Sequence, residues 1–315
     1  MHERRGTLFV LCRKGGRKAV AKTKKRRDWD RDVTHALFVA PNFILYTLFT
    51  IFPIFVGLYY SFTNWNGIKR TYKFVGFRNY VRMFKDSRFL RAISFNGSYV
   101  LMYVLLLVLL AVVLGLLLNQ KIPGRSFFRS AYFFPAVIGM LSCGMIFRQI
   151  FGHGLPAVGE AAGWEWLKNN ILIDPEKAKF GILFVNLWQG VCIPTVLVLA
   201  GLQTIPGELI ESAQLDGANG WKVFRHITMP FLLPTISMIL VLALKESLMI
   251  YDYILALTDG GPAGRTESVT MLIMKHAFNE LKFSTGVAEA IVLAIVIISI
   301  SVVQIYLTNR KKVYE

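Results

Sequence analysis

The sequence has little cysteine, little histidine and little charge. Its 315 residues include only three cysteines, Cys12, Cys143 and Cys192, and five histidines. The cysteines form no CxxC pair and the histidines are dispersed, so the sequence predicts neither a disulfide framework nor a metal site. Charged residues make up 17% of the chain, whereas a soluble domain of this length carries about 25%. Few charges remain to solvate a chain that is 54% hydrophobic.

The apolar residues are concentrated in six blocks. A helix needs about 20 apolar residues to cross a hydrocarbon core of ~30 Å, and each block offers roughly that number. The sequence therefore predicts an all-α polytopic membrane protein with six transmembrane helices, in which residues 35–310 form one transmembrane domain. The predicted spans are Ala36–Phe62, Phe95–Leu118, Phe127–Phe147, Phe180–Leu202, Phe231–Leu257 and Ala290–Leu307.

Positive charge is distributed unevenly, and twelve of the 36 Lys and Arg residues precede the first apolar block. Nucleic-acid-binding proteins also carry basic arms, but a basic arm beside a membrane span favours a cytoplasmic tail held by anionic lipid. We interpret residues 1–34 as such a tail, with membrane lipid and not nucleic acid as its partner. With both termini inside, the inner segments carry twenty basic residues and the outer segments fourteen. The positive-inside rule therefore favours cytoplasmic termini, with residues 311–315 as a second short tail.

The first outer loop departs from this rule, because it carries eight basic residues and one acidic residue, Asp86. Asn79–Phe95 within it predicts an amphipathic helix that rests on anionic headgroups. The alternative is a positive field that steers an acidic binding protein or an anionic sugar. The apolar side of the predicted helix consists of Tyr80, Met83, Phe84, Phe89 and Leu90.

The segment between the fourth and fifth spans, residues 205–231, carries helix signals. Pro206 can start a helix, and Glu208 and Glu211 would complement the dipole in its first turn. Gly217 suits a chain reversal at its end. These residues predict one short helix followed by a tight turn.

A second short helix is expected directly after this turn. Asn219 suits an N-cap, the helix would run from Trp221 to Thr228, and Pro230 would end it. Residues 205–231 thus predict a helix, a turn and a helix on the cytoplasmic side.

This segment resembles the cytoplasmic loop of permease subunits of binding-protein-dependent ABC importers. The family pattern is Glu-Ala-Ala, three residues, Gly, nine residues, Ile, one residue and Leu-Pro. The chain keeps every spacing and substitutes Ser for the first Ala and Met for Leu. The matching positions are Glu211, Ser212, Ala213, Gly217, Ile227, Met229 and Pro230.

Further segments resemble the carbohydrate-uptake branch, in particular the maltose- and glycerol-phosphate-type first permease. They are Pro41–Asn64, Phe74–Tyr80 and Tyr251–Pro262, and the resemblance extends over about Ala36–Leu307. It implies a type I ABC importer permease fold, a sugar-like solute and a bacterial cell membrane. It also implies three kinds of protein partner: a second homologous permease, two ATPase subunits and an extracellular solute-binding protein.

In such an importer the cytoplasmic loop docks into a cleft of the ATPase and couples ATP binding to opening of the pore. The resemblance assigns this coupling to Glu211, Ser212, Ala213, Asp216, Gly217, Ile227 and Pro230. The sequence has no Gly-x-x-x-x-Gly-Lys-Ser/Thr phosphate loop. We therefore expect a non-catalytic subunit that binds no cofactor, with ATP and Mg²⁺ on the partner ATPase.

Polar residues inside predicted spans are candidates for the solute pathway, because charges in a span usually face a cavity or a partner. Lys245 and Glu246 are adjacent and cannot easily pair with each other. Amides bind hydroxyl groups, and an indole can stack on a pyranose face. Each candidate also has a structural explanation, such as interhelical hydrogen bonding or helix capping. The candidate pathway residues are Asn186, Trp188, Gln189, Lys245, Glu246, Tyr251 and Asp252, whereas Glu289 is expected to be exposed at the membrane interface.

Three other functions are compatible with parts of the sequence. A secondary transporter would show inverted repeats, and we detect none. A membrane enzyme would need a His/Asp/Glu cluster or a Ser/His pair at one depth, and a membrane-anchored nucleic-acid binder would depend on the basic tail. We expect an importer permease.

Overall fold

The structure is a computed structural model that describes residues 29–120 and 125–311. The predicted basic tail lies almost entirely outside the described residues, as do residues 312–315. Within the described ranges the chain is helical apart from its loops and one isolated antiparallel bridge between Thr63 and Phe74. This confirms the predicted all-α class.

The chain divides into two compact units after Ile54. The first unit contains α1 (Trp29–Tyr46), a π-helical turn (Thr47–Ile51) and the start of α2 (Phe52–Ser61). The second unit contains the remaining elements. They are α3 (Arg78–Lys85), α4 (Ser87–Asn119), α5 (Arg125–Val137), α6 (Met140–Gln149), a π turn (Ile150–Gly154), α7 (Leu155–Ala162), a 3₁₀ turn (Glu165–Leu167), α8 (Ala178–Gly190), α9 (Cys192–Gln203), α10 (Gly207–Leu215), α11 (Gly220–Val223), a π turn (Phe224–Thr228), α12 (Met229–Leu248), α13 (Asp252–Leu257), α14 (Val269–Met274), a π turn (Lys275–Asn279) and α15 (Phe283–Lys311).

Four helical segments of the described chain are long and apolar enough to cross a membrane: Thr34–Ser61, Ser87–Asn119, Gly220–Leu248 and Phe283–Tyr306. Two bent pairs raise the number to six when each pair is counted as one span. Ser130–Val137 and Met140–Ala162 meet at 101°, and Ala178–Gly190 and Cys192–Gln203 meet at 43°. All six coincide with apolar blocks found in the sequence, but several boundaries differ.

The third predicted span, Phe127–Phe147, is broken after Val137 and not continuous. Pro135 lacks an N–H donor and Gly139 has extended backbone, so the helical hydrogen bonds stop here. Gln189 on α8 donates its side-chain amide to the carbonyls of Pro135 (3.0 Å) and Ile138 (2.5 Å). A neighbouring helix therefore satisfies the carbonyl groups that the break releases, as a non-aqueous environment requires.

The fifth predicted span also ends early, at Leu248 instead of Leu257. The Asn96 amide donates to the Leu248 carbonyl at 2.9 Å, and the Ser268 hydroxyl donates to the Ile250 carbonyl at 2.7 Å. These side chains stabilise the irregular residues between α12 and α13. The same span begins earlier than predicted, because Pro230 occupies the first turn of α12 and does not end the preceding helix. Proline is tolerated in a first turn.

The predicted outer helix Asn79–Phe95 is divided at Asp86. The Asp86 carboxylate accepts the Arg88 backbone N–H at 2.8 Å and caps the long helix α4. Met83 and Phe89 are buried inside the protein, whereas Phe84 and Leu90 are exposed, so the predicted apolar side does not face one environment.

Helix α4 provides the centre of the second unit. It packs against α8, α9, α12 and α14, because one stripe of residues spaced four apart faces the core. Tyr99, Tyr103, Leu107 and Ala111 in this stripe are at most 1% exposed. The two tyrosine rings stack with centroids 6.1 Å apart. Helix α4 thus lies beside the break after Leu248, whose carbonyl accepts the Asn96 amide.

Candidate functional site

A cavity of about 660 Å³ lies in the second unit where α8, α12 and α13 meet the broken third span. Six of the seven predicted pathway residues line it, and they come from two separate stretches of sequence. The structure therefore brings together Asn186, Gln189, Lys245, Glu246, Tyr251 and Asp252.

Gln189 organises one wall of this cavity. Its amide nitrogen is bound by the Pro135 and Ile138 carbonyls, and its amide oxygen accepts the Tyr253 hydroxyl at 2.8 Å. Every polar atom of this buried amide thus has a protein partner. Gln189 holds the helix break and α13 in place, which is a positioning role.

Asn186 and Glu246 face the space beside Gly190. A Cβ atom at Gly190 would lie 3.5 Å from Asn186 Oδ1 and 3.6 Å from Glu246 Oε1, and it would overlap the hydroxyl of Tyr103. The Asn186 amide nitrogen donates to Tyr99 at 2.9 Å, while its buried oxygen has no hydrogen-bond partner among the described residues. The absence of a side chain at Gly190 therefore lets the Tyr103 hydroxyl pack against the backbone there, beside the oxygen atoms of Asn186 and Glu246.

Lys245 and Asp252 lie at the more open part of the cavity, and both are exposed. No ion pair joins Lys245 to Glu246 among the described residues, in agreement with the prediction that neighbours on a helix cannot easily pair. Asp252 is the first residue of α13 and not its cap, since Tyr251 occupies the N-cap position.

Trp188 does not line this cavity, so the structure does not bring it together with Asn186 and Gln189. Successive residues of a helix point about 100° apart, so Trp188 projects to another side of α8. It lines a separate apolar pocket with Phe184 and Tyr132, and its ring lies 5.1 Å from that of Phe147. Helical periodicity alone could have separated it from the two amides.

The sequence reasoning missed Tyr103, Tyr253 and Gly190. Tyr99 and Tyr103 carried one available signal, because two polar aromatics four residues apart interrupt an otherwise aliphatic span. Gly190 carried none, since its contacts come from α4 and α12.

The predicted helix, turn and helix of residues 205–231 is present. Pro206 precedes α10, whose first turn contains Glu208; Glu211 lies one turn further on. The N–H of Gly217 donates to the Gln214 carbonyl at 3.1 Å, and the N–H of Ala218 donates to the Ala213 carbonyl at 2.9 Å. This pair of bonds is the Schellman motif, which needs a left-handed residue, and Gly217 has φ of +78°.

Asn219 caps the next helix as predicted, because its side chain accepts the Lys222 N–H at 2.9 Å. That helix does not end at Pro230. It passes through α11 and the π turn into α12, so Ile227 and Pro230 belong to the start of the fifth span. Glu211, Ser212, Ala213, Asp216 and Gly217 remain together in α10 and its C-terminal turn.

Helix α10 and the turn that follows it contain no buried residue. Leu215 is 90% exposed and Trp221 is 66% exposed. Exposed apolar side chains at the tip of a capped hairpin make this surface a candidate for contact with another protein. We call α10, the turn and α11 (207–223) the exposed hairpin.

Glu289 contradicts its prediction, since it is fully buried and not interfacial. Its carboxylate lies 2.8 Å from Nδ1 of His276, which is 3% exposed. On the other side of His276, Glu280 accepts hydrogen bonds from Lys282 (2.7 Å) and Arg88 (2.6 Å). These two bonds lower the pKa of Glu280 to about 2. Glu267 pairs with Arg88 and Lys275, so this network joins α4, the 259–268 loop and α15.

In the part of the chain that the structure describes, no group of three or more His, Cys, Asp or Glu side chains could hold a metal ion. Cys143 and Cys192 are buried and free.

Comparisons with known proteins agree with the cytoplasmic-loop motif. The sequence matches the family described as "Binding-protein-dependent transport system inner membrane component" over residues 24–313. It is 41% identical over 276 residues to the multiple sugar-binding transport system permease protein MsmF of Streptococcus mutans, covering 88% of this chain and 95% of that protein. It is 31% identical to the probable starch degradation products transport system permease protein AmyD of Thermoanaerobacterium thermosulfurigenes, covering 92% of this chain and 99% of that protein.

The fold has a close counterpart among solved structures. A chain of a bacterial ABC transporter involved in the import of the acidic polysaccharide alginate superposes with a TM-score of 0.79. The match covers 89% of this chain and 96% of that chain at 23% identity, and it supports the fold alone. The helical architecture, the spacing of the Glu211–Pro230 motif and the family match lead to one conclusion: the chain belongs to the binding-protein-dependent transport system inner membrane components.

Proposed function

We propose that this chain is one of two membrane-spanning subunits of an ATP-driven importer that carries a sugar across a bacterial cell membrane. Two ATPase subunits bind ATP and Mg²⁺ on the cytoplasmic side, and a solute-binding protein delivers the sugar outside. Both termini are cytoplasmic. The sugar is supported by relatives named for multiple sugars and for starch degradation products.

The observation that carries the proposal is the exposed hairpin. Its two helices are fixed by the Gly217 turn and the Asn219 cap, so it can transmit a displacement without unfolding. Its apolar tip, Leu215 and Trp221, has no packing partner that would bury it within the described chain. We infer that an ATPase subunit covers this tip, with Glu211 and Asp216 at its margin.

We further propose that the 660 Å³ cavity is part of the solute pathway. The Glu246 and Asp252 carboxylates that line it accept hydrogen bonds, which sugar hydroxyl groups can donate. The cavity has two carboxylates and one ammonium group, contributed by Glu246, Asp252 and Lys245. This balance favours a solute without negative charge.

The test of the hairpin is Leu215→Asp in the assembled transporter. Because Leu215 is 90% exposed, the substitution removes no internal packing. A charge placed in an apolar interface is costly, so we expect uptake and co-purification of the ATPase to fall roughly tenfold while the amount of inserted protein stays constant. Gln214→Asp adds the same charge on the same helix without removing an apolar group, and it should have a smaller effect. Normal ATPase binding in Leu215→Asp would refute the assignment.

A further inference from the structure

A second pocket, of about 330 Å³, lies in the second unit between the beginnings of α4 and α8 and the loop before α14. Its polar lining is rich in positive charge, which sets it apart from the acceptor-rich cavity. The charged and hydroxyl side chains around it are Arg91, Ser94, Ser98, Glu176, Lys179 and Arg265. We call it the basic pocket.

The three cations of the basic pocket have no carboxylate partner among the described residues. Lys179 Nζ lies 3.5 Å from the Ser98 hydroxyl and 5.5 Å from the Phe180 ring centroid, and neither group neutralises it. Glu176 lines the pocket without forming an ion pair in the described chain. Arg91 and Arg265 are exposed, and Lys179 is half-buried.

Other basic residues near the pocket do form ion pairs with carboxylates. Lys177 pairs with Asp174 at 3.3 Å, Lys275 pairs with Glu267 at 3.2 Å, and Arg88 bridges Glu267 and Glu280. Apart from Glu176, these acidic residues near the pocket are already paired with other cations. Three cations and the single carboxylate of Glu176 meet at this concave surface, so positive charge is in excess and the pocket has an electrostatic preference for an incoming anion.

The position of the pocket follows from the order of the spans. Its residues lie at the start of the second span, at the start of the fourth span and between the fifth and sixth spans. The exposed hairpin lies between the fourth and fifth spans. Successive spans alternate sides, so the basic pocket opens on the side opposite the hairpin. Under the proposed function, on which this inference rests, that side is outside the cell.

An anionic solute is a poor candidate for the pocket. The cavity proposed for the solute contains Glu246 and Asp252, which would repel a carboxylate at the next stage of transport. The anionic group that binds in the basic pocket must therefore belong to a molecule that stays outside the cell and is not transported. We propose that the basic pocket receives an acidic side chain of the extracellular solute-binding protein when that protein docks.

Such contacts accelerate and orient docking, and they weaken as salt screens them. The expected signature is a dissociation constant for the binding protein that rises with salt concentration. A variant without the three cations should lose most of this dependence. The exposed cations Arg70 and Lys73 of the first outer loop lie outside the basic pocket and provide a matched control.

The experiment uses the complete transporter in lipid nanodiscs and the purified solute-binding protein of the same system. Its dissociation constant is measured at low and high salt for wild type, for Arg91→Ser/Lys179→Ser/Arg265→Ser and for Arg70→Ser/Lys73→Ser. We expect roughly tenfold weaker binding at low salt for the pocket variant, a difference that narrows at high salt, and less than about twofold change for the control. The single variant Arg265→Gln should show a smaller loss, and ATPase co-purification verifies the folding of each variant.

Unchanged affinity in the pocket variant would overturn this inference and leave the proposed function intact. The inference also fails if glucuronate, added without the binding protein, binds wild type and not the pocket variant, because the anion would then belong to the solute. If the wild-type chain binds neither the ATPase nor the solute-binding protein, the proposed function is overturned as well.

Discussion

The exposed hairpin and the cavity at the helix breaks are built in opposite ways. The hairpin depends on contacts between residues close in sequence, such as Ala218 to Ala213 and Lys222 to Asn219. The cavity depends on contacts between distant segments, such as Asn96 to Leu248, 152 residues apart. A short rigid element on the surface can therefore be specified locally, whereas an irregular helix in a membrane needs partners from other helices.

The largest expected effect concerns the hairpin turn. Gly217 has φ of +78°, and a Cβ added there would meet no atom within 4 Å, so substitution strains only the backbone. Gly217→Val should cost about 1–2 kcal/mol in this conformation and reduce uptake roughly tenfold. Gly217→Asn should be milder, because asparagine tolerates the left-handed region.

Uptake measured at equal amounts of inserted protein distinguishes these variants. Gly220→Ala, with ordinary φ and open space, is the control. Equal uptake in Gly217→Val and Gly217→Asn would show that the turn geometry does not matter for coupling.

The next prediction concerns the cavity. Gly190→Val places a side chain against the Tyr103 hydroxyl and beside Asn186 and Glu246. Overpacking of this kind costs about 1–3 kcal/mol and would reduce uptake roughly tenfold. ATPase co-purification should be normal, since the hairpin is untouched. Gly97→Val, where a Cβ meets no atom within 4 Å, should transport like wild type; equal uptake by both variants would exclude the cavity from the pathway.

A smaller effect is expected for the helix break itself. Gln189→Leu removes the donor for Pro135 and Ile138 and the acceptor for Tyr253. An unsatisfied buried polar group costs about 1–3 kcal/mol, so thermal unfolding in detergent should occur several degrees lower. Gln203→Leu, at an exposed position, is the control. An unchanged Tm would mean that the break is stable without this amide.

The smallest effect is a pH dependence that arises in the loop before α15. The pKa of Glu280 is lowered to about 2, first by the hydrogen bond from Lys282 and then by that from Arg88. A lowered carboxyl pKa adds stability above the unfolded value, here 4.5, and this stability is lost as pH falls towards 2. Glu280→Gln should therefore lower Tm at pH 7, and its difference from wild type should shrink as the pH falls from about 5 to about 3.

Glu160→Gln serves as the matched control, because Glu160 is exposed and forms no ion pair among the described residues. A Tm difference between wild type and Glu280→Gln that stays constant from neutral to acidic pH would contradict the ion-pair explanation.

The same contrast explains what the sequence could predict. The apolar blocks, the Gly217 turn and the Asn219 cap were predicted because their physical causes lie within a few residues. The breaks after Val137 and Leu248 were not, because Gln189, Asn96 and Ser268 stabilise them from other helices. Glu289 was misjudged for the same reason, since its partner His276 is identified only by the packing of α15.

The candidate site was predicted in composition but not in geometry. Six of the seven predicted residues do line one cavity, because charged and amide groups in apolar spans usually face a cavity or a partner. Trp188 lies apart from them, in a separate apolar pocket. The oxygen atoms around Gly190 were not predicted, since a glycine gives no sign of what surrounds it.

The most direct test of the account is cross-linking from the tip of the hairpin. Leu215→Cys places an exposed thiol at the tip of the hairpin, and Cys12→Ser removes the thiol of Cys12. The two remaining natural cysteines, Cys143 and Cys192, are buried. A thiol–amine cross-linker applied to the complete transporter should join this chain to its ATPase subunit. Ile173→Cys, 70% exposed in the loop between the third and fourth spans, should give no such product. A cross-link to the ATPase from residue 173 and none from residue 215 would contradict the assignment of the hairpin as the coupling element.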